Sequence, residues 1–445
     1  MNLPVNVQEI ITTLENAGYE AYAVGGCVRD TLLNKEPDDW DITTSATPEQ
    51  AKALFARTID TGIQHGTITV LMGKETYEVT TYRIDGEYED SRHPKEVIFT
   101  SNLLEDLKRR DFTINAMAYN DRSGIVDAFD GMDDLEKGII RCVGNPTERF
   151  SEDALRMMRA VRFSGQLGYK IEPATGKAIK ELAPTLRRIS AERICTELIK
   201  LMVSDHPEYF REAYELGMTK VFMPEFDAAM ETLQNNPHHC YNVGEHILHS
   251  LTHVRNDKVL RLTMLFHDLG KARTKTTDEK GIDHFYGHVE ESALIADDIM
   301  KRLRFDNDTR QKVVKLVKYH DLDMALTPKG VRKAIVKLSE ELFPLLLEVK
   351  RADFLAQSMY MRDEKEAELA EMERIYAQIL EEKNCVSLKT LAVTGSDLID
   401  AGMKPGKEIG EVLQKLLEDV LEEPSLNTKE ELLNRAKLII HKPVE

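Results

Sequence analysis

Residues 21–44 read AYAVGGCVRDTLLNKEPDDWDITT, and this stretch decides the fold of the N-terminal part of the chain. A short apolar run ends at Gly25-Gly26, a helix-like segment follows, and WDITT has the β-branched residues of a second strand. Glycines at a strand-to-helix turn leave their backbone amides open to a triphosphate. The pattern therefore predicts a strand, a phosphate-binding turn, a helix with Arg29 near its start, and another strand.

Two carboxylates flank Trp40 in this second predicted strand. Because alternate side chains of a strand share a face, we expect Asp39 and Asp41 to point together, away from Asp38. Carboxylate oxygens are the preferred ligands of Mg²⁺, although an exposed acidic turn is the alternative. Glu78, on a predicted neighbouring strand, is either a third catalytic carboxylate or half of a cross-strand ion pair. We predict two Mg²⁺ ions at Asp39 and Asp41.

Composition limits the class of protein. A chain of 445 residues is long enough for two to four domains. With 31% charged residues and no apolar run near eighteen residues, we expect a soluble protein without a membrane span. The N-terminus lacks a secretion signal, and five scattered cysteines favour reduced thiols, so the expected location is cytoplasmic. A net charge of −18 argues against non-specific coating of nucleic acid.

The hydrophobic pattern changes along the chain. From about residue 20 to 140 it is mixed α/β, and TITVLMGKETYEVTTYR at 67–83 predicts a hairpin that turns near Gly73-Lys74. After about residue 147, helical patterns follow one another. The predicted fold class is α+β, with an α/β head followed by a helical remainder.

The segment EDALRMMRAVRF at 152–163 predicts a way to read nucleobases. If it forms one helix, Asp153 and Arg156 share a face. A carboxylate only accepts hydrogen bonds and a guanidinium only donates them, and cytosine and adenine both present an amino donor beside a ring-nitrogen acceptor. Such a pair accepts CTP and ATP and rejects UTP and GTP. The alternative is an ordinary surface ion pair.

Five segments together resemble the bacterial tRNA nucleotidyltransferase and poly(A) polymerase family, class II of the nucleotidyltransferase superfamily. They are GGCVRDTLLNKEPDDWDITTSA at 25–46, RRDFTINAMAYN at 109–120, GMDDLEKGIIRCVGNP at 131–146, RFSEDALRMMRAVRFSGQLGY at 149–169 and ISAERICTELIKLM at 189–202. The resemblance implies a nucleotidyltransferase head at 1–140, a helical neck for nucleobase recognition and RNA binding at 141–235, and a helical, tRNA-binding body and tail at 351–445. A separate resemblance, described below, predicts an HD metal-binding domain at 236–350.

The resemblance also assigns residues to nucleotide binding. RRDFTINA resembles a motif that contacts ribose and phosphates, and EDALRMMRAVRF resembles the nucleobase-reading motif. The predicted nucleotide-binding residues are Gly25, Gly26, Arg29, Arg109, Arg110, Asp111, Asn115, Glu152, Asp153, Arg156, Arg159 and Arg162.

A predicted mobile loop bears on which nucleotides are added. Relatives that add all three nucleotides carry a loop resembling DGxYxDxRRP. This chain has its counterpart at 85–94, with His93 where arginine is usual, and retains Asp85, Gly86, Tyr88, Asp90, Arg92 and Pro94. The loop favours full CCA addition.

A second group of residues, within 236–323, resembles the HD-domain metal phosphohydrolases. Imidazole and carboxylate groups together suit a divalent transition metal or magnesium. His288 is expected to contact a substrate and Lys271 a phosphate. In some tRNA nucleotidyltransferases such a domain hydrolyses cyclic or terminal phosphates at RNA ends, although a scaffold that only buries its histidines is the alternative. The predicted ligands of this unidentified metal are His246, His267, Asp268, His320 and Asp321.

Three functions are consistent with these patterns. The first is template-independent addition of C, C and A to the tRNA 3′ end from CTP and ATP. The second is a CC-adding, A-adding or poly(A)-adding enzyme on the same fold. The third is a phosphohydrolase with the head as an RNA-binding module. The expected partners are tRNA, ATP and CTP, with no DNA and no membrane, and the oligomeric state is left open.

Overall fold

A computed structural model describes residues 1–86 and 97–440, which form two compact units, Met1–Pro224 and Glu225–Glu445. The first unit combines a β-sheet with helices, and the second is almost entirely helical. This confirms the predicted α+β class. No helix in the described part of the chain is both long and apolar enough to cross a membrane.

The first unit is organised around a seven-stranded sheet. The strands of this unit are β1 (Ala21–Val24), β2 (Asp41–Thr44), β3 (Thr58–Gly62), β4 (Thr67–Met72), β5 (Glu75–Thr81), β6 (Arg83–Asp85), β7 (Val97–Phe99), β8 (Met117–Asn120), β9 (Gly124–Asp127), β10 (Ile139–Ile140) and β11 (Lys170–Ile171). Of these, β6 pairs with β7 and β10 pairs with β11 in two separate two-stranded sheets. The sheet has the order β3-β4-β5-β2-β1-β8-β9, and β2 and β5 are its parallel pair. This central parallel pair carries the carboxylates singled out above.

Local sequence explains much of the sheet. The predicted hairpin is confirmed, because Met72 pairs with Glu75 and leaves Gly73-Lys74 as the turn. Gly73 has a φ of 66°, which glycine adopts without strain. All four residues of β1 are buried. Tyr22 and Val24 belong to an apolar cluster that also contains Leu103 and Leu107, from the helix just before the RRDF segment. The N-terminal helix contacts both β1 and β2. A strand covered in this way reads as a continuous apolar run.

Helices cover the sheet and form the rest of the first unit. They are α1 (Val5–Asn16), α2 (Gly26–Leu32), α3 (Pro48–Leu54), α4 (Leu103–Lys108), α5 (Gly131–Lys137), α6 (Pro146–Glu152), α7 (Leu155–Leu167), α8 (Pro173–Leu182), α9 (Ala191–Met202), α10 (Phe210–Glu215) and α11 (Thr219–Phe222). A short 3₁₀ turn at Thr113–Asn115 lies before β8. The predicted change to successive helices near residue 147 is confirmed by α6 to α9.

The segment at 152–163 is not one continuous helix, so the prediction that Asp153 and Arg156 share a helical face is wrong. Asp153 ends α6 with an extended backbone, at φ −141° and ψ 103°. Its Oδ1 accepts a hydrogen bond of 3.0 Å from the amide of Leu155, the first residue of α7. Aspartate competes well for such amides, and this local bond accompanies the break.

The second unit contains α12 (Pro224–Glu231), which begins at the boundary, and the following elements: α13 (Val243–Leu251), α14 (Lys258–Phe266), α15 (Lys271–Thr274), β12 (Thr276–Thr277), β13 (Asp283–His284), α16 (His288–Arg302), α17 (Asn307–Tyr319), α18 (Pro328–Leu338), α19 (Phe343–Leu355), α20 (Arg362–Glu381), α21 (Gly395–Asp400), α22 (Lys407–Glu422) and α23 (Lys429–Ile440). One apolar cluster joins α18, α19 and α20, and another joins α21, α22 and α23. The expected domain boundary at 350 lies within α19.

Candidate functional site

The carboxylates of the first unit lie where β2 begins. Asp41 is the first residue of β2, and its partner on the parallel neighbour β5 is Glu78. Asp39 precedes the strand, and all three residues are exposed. The expected pairing of the Glu78 strand beside β2 is confirmed.

The surroundings of Asp41 disfavour its ionised form. Its pKa is raised to about 6, first because surrounding protein removes water from the carboxylate, and then because Asp39 and Glu78 are negative. Its surface is nevertheless open to solvent, as a ligand group must be. A divalent cation would relieve this repulsion, so the residues fit a Mg²⁺ site.

Arg110 is the cation that opposes this charge. It lowers the pKa of Asp41, and its Nη2 lies 3.7 Å from the buried Asp106. At Gly25 a Cβ atom would lie 2.8 Å from Arg110 Nη1, and Gly25 has a φ of 85°. Both the turn and the close approach of the guanidinium therefore require glycine. The predicted turn at Gly25-Gly26 is the N-terminal end of α2.

A chain of hydrogen bonds connects the predicted nucleotide-binding motifs. Arg29 of α2 donates to Asn115 Oδ1 at 2.7 Å, and Asn115 donates to Asp111 Oδ1 at 3.2 Å. Arg159 of α7 donates to Asp111 Oδ2 at 2.7 Å. Although burial opposes it, Arg159 holds the pKa of Asp111 at about 2. Three separate elements are thus fixed around one ionised carboxylate, and Arg29 and Arg159 also approach the Phe163 ring.

Asp153 and Arg156 each bind another partner. Arg193 of α9 donates to both oxygens of Asp153, at 2.7 and 3.3 Å. Arg156 donates to Glu152 at 2.7 Å and to the carbonyl oxygen of Arg109 at 3.0 Å. Sequence reasoning missed Arg193, although it lies in the ISAERICTELIKLM segment that carries the resemblance. The spacing of Glu152 and Arg156, four residues apart, was the available signal for their pairing.

Arg162 contacts the same Phe163 ring as Arg29 and Arg159 but has its own hydrogen-bond partners. It is buried, pairs with the buried Glu197 of α9, and donates to Gln166 at 2.6 Å. Its guanidinium also lies 3.9 Å from the centre of the Phe163 ring. With its donors directed at protein groups, Arg162 fits a structural role between α7 and α9 better than nucleotide contact.

The loop that bears on CCA addition lies mostly outside the described residues. Tyr88, Asp90, Arg92, His93 and Pro94 lie outside the described residues. Gly86 is the last residue before this gap, and Asp85 ends β6.

The second unit brings together histidines and aspartates from five helices or helix ends. One group comprises His246, His267, Asp268 and Asp353, and a second group comprises Asp268, His288 and His320. Within each group the ligand atoms lie within 4.8 Å of one another. Asp268 is shared, and the six residues are called the His–Asp cluster below.

The short distances in the His–Asp cluster converge on Nε2 atoms. His246 Nε2 lies 2.9 Å from Asp353 Oδ1, 3.3 Å from Asp268 Oδ2 and 3.2 Å from His267 Nε2. On the other side, Nε2 of His288 and of His320 lie 3.6 and 3.7 Å from Asp268 Oδ1. The carboxylate of Asp268 thus lies between two sets of imidazoles.

Backbone carbonyls orient these rings. The Nδ1 atoms of His267, His288 and His320 lie 2.7 to 2.9 Å from the carbonyl oxygen three residues earlier, and that of His246 lies 3.3 Å from the carbonyl of Ala356. Because a carbonyl oxygen only accepts, each Nδ1 carries a proton and each ring directs its Nε2 atom inward. Metal-binding histidines are held in the same way.

Asp268 supplies a direct test of whether a metal fits. It is buried, and neither of its oxygens has a hydrogen-bond partner among the described residues, although Lys271 Nζ lies 2.7 Å away. Burial opposes ionisation, yet Lys271 and then His267 hold the pKa of Asp268 well below its ordinary value. An ionised, buried carboxylate surrounded by imidazole Nε2 atoms fits a divalent cation, which imidazole and carboxylate groups bind together.

The structure of the His–Asp cluster differs from the sequence-based prediction at two residues. Asp321, predicted as a ligand, is exposed and is not brought together with the other predicted ligands in either group. Asp353 of α19 provides the second carboxylate instead. The apolar neighbours of Asp353 in RADFLA were the one sequence signal for this partly buried carboxylate. His288, expected to contact a substrate, lies in the second ligand group.

When no metal is present, the ionised Asp41 side chain lowers the stability of the folded protein by a measurable amount. Because its folded pKa exceeds the ordinary 3.8, the group favours the folded state at low pH and loses this contribution as pH rises towards 6. In EDTA at pH 8, we expect Asp41→Asn to raise the melting temperature by a few degrees, on the order given by a 1 kcal/mol change. At pH 5 the gain should shrink.

Thermal melting followed by circular dichroism measures this difference, and Asp38→Asn is the matched control without a pH-dependent gain. Added Mg²⁺ should reverse the order by stabilising the natural sequence more than Asp41→Asn. Equal melting temperatures for both proteins at pH 8 would contradict the account.

Three family models match successive parts of the chain. They are the Poly A polymerase head domain at 21–141, the RNA and SrmB-binding site of polymerase A at 168–230, and tRNA nucleotidyltransferase domain 2 at 274–436. The first covers β1, β2 and β5 with Asp39, Asp41 and Glu78. The second contains Arg193.

Relatives match along the whole chain. The CCA-adding enzyme of Lactobacillus helveticus is 38% identical over 94% of this chain and 92% of its own, and that of Streptococcus suis is 35% identical over 99% and 98%. The crystal structure of the Bacillus stearothermophilus CCA-adding enzyme with CTP has a TM-score of 0.72, with 29% identity and 99% coverage of both chains. On this similarity along its full length, the chain belongs to the family of CCA-adding enzymes.

Proposed function

We propose that this protein adds C, C and A in turn to the 3′ end of tRNA, using CTP and ATP and no nucleic-acid template. The observation that carries the proposal is the pairing of Asp41 with Glu78, close to Asp39 and opposite Arg110 at the Gly25-Gly26 turn. Membership of the CCA-adding family supports this choice over CC-only, A-only or poly(A) addition.

The carboxylates would hold two Mg²⁺ ions, with Asp39 and Asp41 as the main ligands and Glu78 beside them. Bound Mg²⁺ neutralises triphosphate charge and favours ionisation of the attacking 3′-hydroxyl. The chain itself contributes positioning: Arg110 above Gly25 and Arg29 beside Asn115 offer cations to the phosphates. Catalysis then depends on orientation and charge stabilisation, without a covalent protein intermediate.

Nucleobase choice would lie with Asp153 and Arg156. Arg193 fixes the Asp153 carboxylate, while Glu152 and the Arg109 carbonyl fix the Arg156 guanidinium. The side chains of Asp153 and Arg156 are therefore each oriented by other protein groups and do not pair with each other. Their opposite hydrogen-bonding character matches the edges of cytosine and adenine.

The compartment proposed for this work is the cytoplasm. All five cysteines are free thiols, and four of them are buried. Free thiols are typical of a reducing compartment.

A second candidate function is hydrolysis of phosphate esters at the His–Asp cluster. The observation that favours it is the convergence of four imidazole Nε2 atoms on the buried Asp268, whose oxygens have no hydrogen-bond partner among the described residues. A divalent metal held there would supply an activated water molecule and a Lewis acid for the phosphate. Removal of a blocking phosphate would prepare an RNA end for nucleotide addition.

The proposed addition is tested on tRNA transcripts that end before CCA, after C or after CC. With Mg²⁺, CTP and ATP, we expect three, two and one additions, each followed by a stop, as read on a sequencing gel. UTP and GTP should not be incorporated. Asp39→Ala and Asp41→Ala should each reduce the rate at least about a hundredfold, because each removes a ligand of the reacting centre.

Asp38→Ala, an exposed neighbour, is the matched control and should retain activity. Use of only one nucleotide would identify a CC- or A-adding enzyme, and an open-ended ladder of A would identify a poly(A) polymerase. Either result would overturn the proposal of full CCA addition.

Arg193 gives a sharper test of nucleobase reading. Because it fixes both oxygens of Asp153, Arg193→Ala should lower the preference for CTP over UTP about tenfold, which corresponds to about 1.4 kcal/mol. The measurement is the ratio of kcat/KM for the two nucleotides. Arg193→Lys should recover part of the preference, and Glu192→Ala on the same helix is the control. A fall in activity with an unchanged ratio would contradict this role.

Metal content tests the corrected ligand set of the second unit. Purified protein loaded with Mn²⁺ and then washed should retain metal at the His–Asp cluster, as measured by mass spectrometry. Asp353→Asn should lose most of this metal, because Asp353 lies 2.9 Å from His246 Nε2. Asp321→Asn should keep it. The opposite pattern would restore Asp321 as the ligand.

A further inference from the structure

One buried carboxylate of the first unit is not used by the mechanism proposed above. Asp106, in the last turn of α4, is fully buried. Burial opposes ionisation, but Arg109 and then Arg110 lower the pKa of Asp106, so the side chain is charged. A buried charge is costly unless hydrogen bonds and opposite charges surround it, so the partners of Asp106 indicate what it positions.

Asp106 connects three segments of the first unit. Its Oδ1 atom accepts hydrogen bonds from Nε and Nη2 of Arg109, at 3.0 and 2.9 Å, and from the backbone amide of Arg83, at 3.3 Å. Its Oδ2 atom accepts a hydrogen bond of 3.1 Å from Thr43 Oγ1. Thr43 lies in β2, two residues after Asp41, and Arg83 begins β6. Asp106 is thereby fixed against the strand that carries a proposed Mg²⁺ ligand.

Arg110 is held less firmly than Asp106. Its Nη2 atom lies 3.7 Å from Asp106 Oδ2, which is too long for a hydrogen bond. Its Nε atom is buried and has no hydrogen-bond partner among the described residues. Within residues 1–86 and 97–440, Asp106 is also the one carboxylate at ion-pair distance from Arg110. The position of this guanidinium therefore depends on the balance of nearby charges.

Two carboxylates compete for Arg110. Burial lowers the pKa of Arg110, whereas Asp106 and, more weakly, Asp41 raise it. In the other direction, Arg110 offsets part of the rise that burial and Asp39 cause in the pKa of Asp41. The guanidinium is therefore attracted to both carboxylates, and more strongly to Asp106. If it moved onto Asp41, it would occupy the negative group that a Mg²⁺ ion needs.

We propose that Asp106 is a positioning residue for nucleotide addition: it holds Arg110 away from Asp41, which leaves Asp41 open to Mg²⁺ and the guanidinium available to a triphosphate. The assignment rests on the proposed function, because it gives Asp106 a task at the same site. Asp106 is itself closed off from solvent, so it acts through Arg110 and does not contact metal or nucleotide.

The variant Asp106→Asn removes the charge and preserves the hydrogen bonds. The amide oxygen still accepts from Arg109 and from the first amide of β6, and the amide nitrogen donates to Thr43 Oγ1. The proton of that hydroxyl then goes to the carbonyl oxygen of Thr80, which lies 3.2 Å away. The change that remains is the lost attraction for Arg110, so this variant tests the proposed role rather than the fold.

The first measurement is Mn²⁺ binding in the absence of nucleotide, followed by electron paramagnetic resonance. It uses the full-length protein with Asp353→Asn, which disables the His–Asp cluster. We expect Asp106→Asn to bind Mn²⁺ about tenfold more weakly, because Arg110 then moves towards Asp41 and competes with the cation. Glu105→Gln removes the same charge from the preceding, partly exposed position of α4, and this matched control should bind Mn²⁺ normally.

Arg110→Gln shows whether Asp106 acts through Arg110. With no guanidinium to compete for Asp41, this variant should bind Mn²⁺ more tightly than its Asp353→Asn parent. Adding Asp106→Asn should then change the affinity less than about twofold, because the residue through which Asp106 acts is gone. An equal loss with and without Arg110 would show an effect of charge alone and overturn the proposal. Should Asp106→Asn fail to fold by circular dichroism, equal Mn²⁺ affinity of Arg110→Gln and its parent would overturn it.

Nucleotide addition tells a positioning role from a structural one. In the otherwise natural sequence, Asp106→Asn should add CTP slowly at low Mg²⁺ and recover as Mg²⁺ is raised. The ratio of kcat/KM for CTP and UTP should stay unchanged, because Arg109, whose carbonyl oxygen accepts from Arg156, keeps its partner. A slow rate that Mg²⁺ does not restore would assign Asp106 to the fold alone and overturn the proposal.

The two readouts also separate this proposal from the proposed function. If the natural sequence adds nucleotides and Mn²⁺ affinity is the same in Asp106→Asn, the function stands and the role of Asp106 is overturned. If the natural sequence adds no nucleotide but Mn²⁺ affinity depends on Asp106 through Arg110, the proposed function fails and the control of the metal site by Asp106 stands.

Discussion

The structure of the first unit depends on the parallel pairing of β2 with β5, which places Asp41 in register with Glu78. Pairing two exposed strand residues of like charge is unfavourable in the absence of a cation, and the raised pKa of Asp41 records that cost. The remaining features reduce it: Arg110 opposes the charge, and Gly25 permits Arg110 to approach. A fold selected only for stability would not keep such a pair.

The second unit meets the same constraint with different groups. Asp268 is ionised and buried, and the imidazoles around it are fixed through their Nδ1 atoms by backbone carbonyls. Carbonyls near helix ends lack helical partners, and the carbonyls that bind His267 and His320 belong to the last turns of α14 and α17. Both units therefore contain carboxylates whose negative charge the protein neutralises only in part. In both units, divalent metal ions would supply the missing positive charge.

Local patterns predicted much of this arrangement. Asp39, Asp41, the Gly25-Gly26 turn and the hairpin at Gly73 depend on residues close together in sequence, where strand alternation and turn chemistry are reliable. The break at Asp153 was missed because helical spacing takes no account of a side chain that bonds to a following amide. Burial of Arg162 was missed because its partner, Glu197, lies 35 residues away.

Long-range partners account for the other differences. Arg193 lies 40 residues from Asp153, and Asp353 reaches His246 from a helix more than a hundred residues later. No periodicity connects such positions, so a single sequence could indicate the residue types but not the pairs. Asp321 was predicted because it follows a histidine, yet its side chain lies at the surface.

The most direct test of the account is a count of the cations bound by Asp39, Asp41 and Glu78. Mn²⁺ can be titrated into the protein with CTP present and followed by electron paramagnetic resonance, after the His–Asp cluster has been disabled by Asp353→Asn. The account predicts two ions per chain at pH 8, weaker binding below pH 6 where Asp41 takes up a proton, and loss of binding in Asp41→Asn. Unchanged Mn²⁺ binding in Asp41→Asn would contradict it.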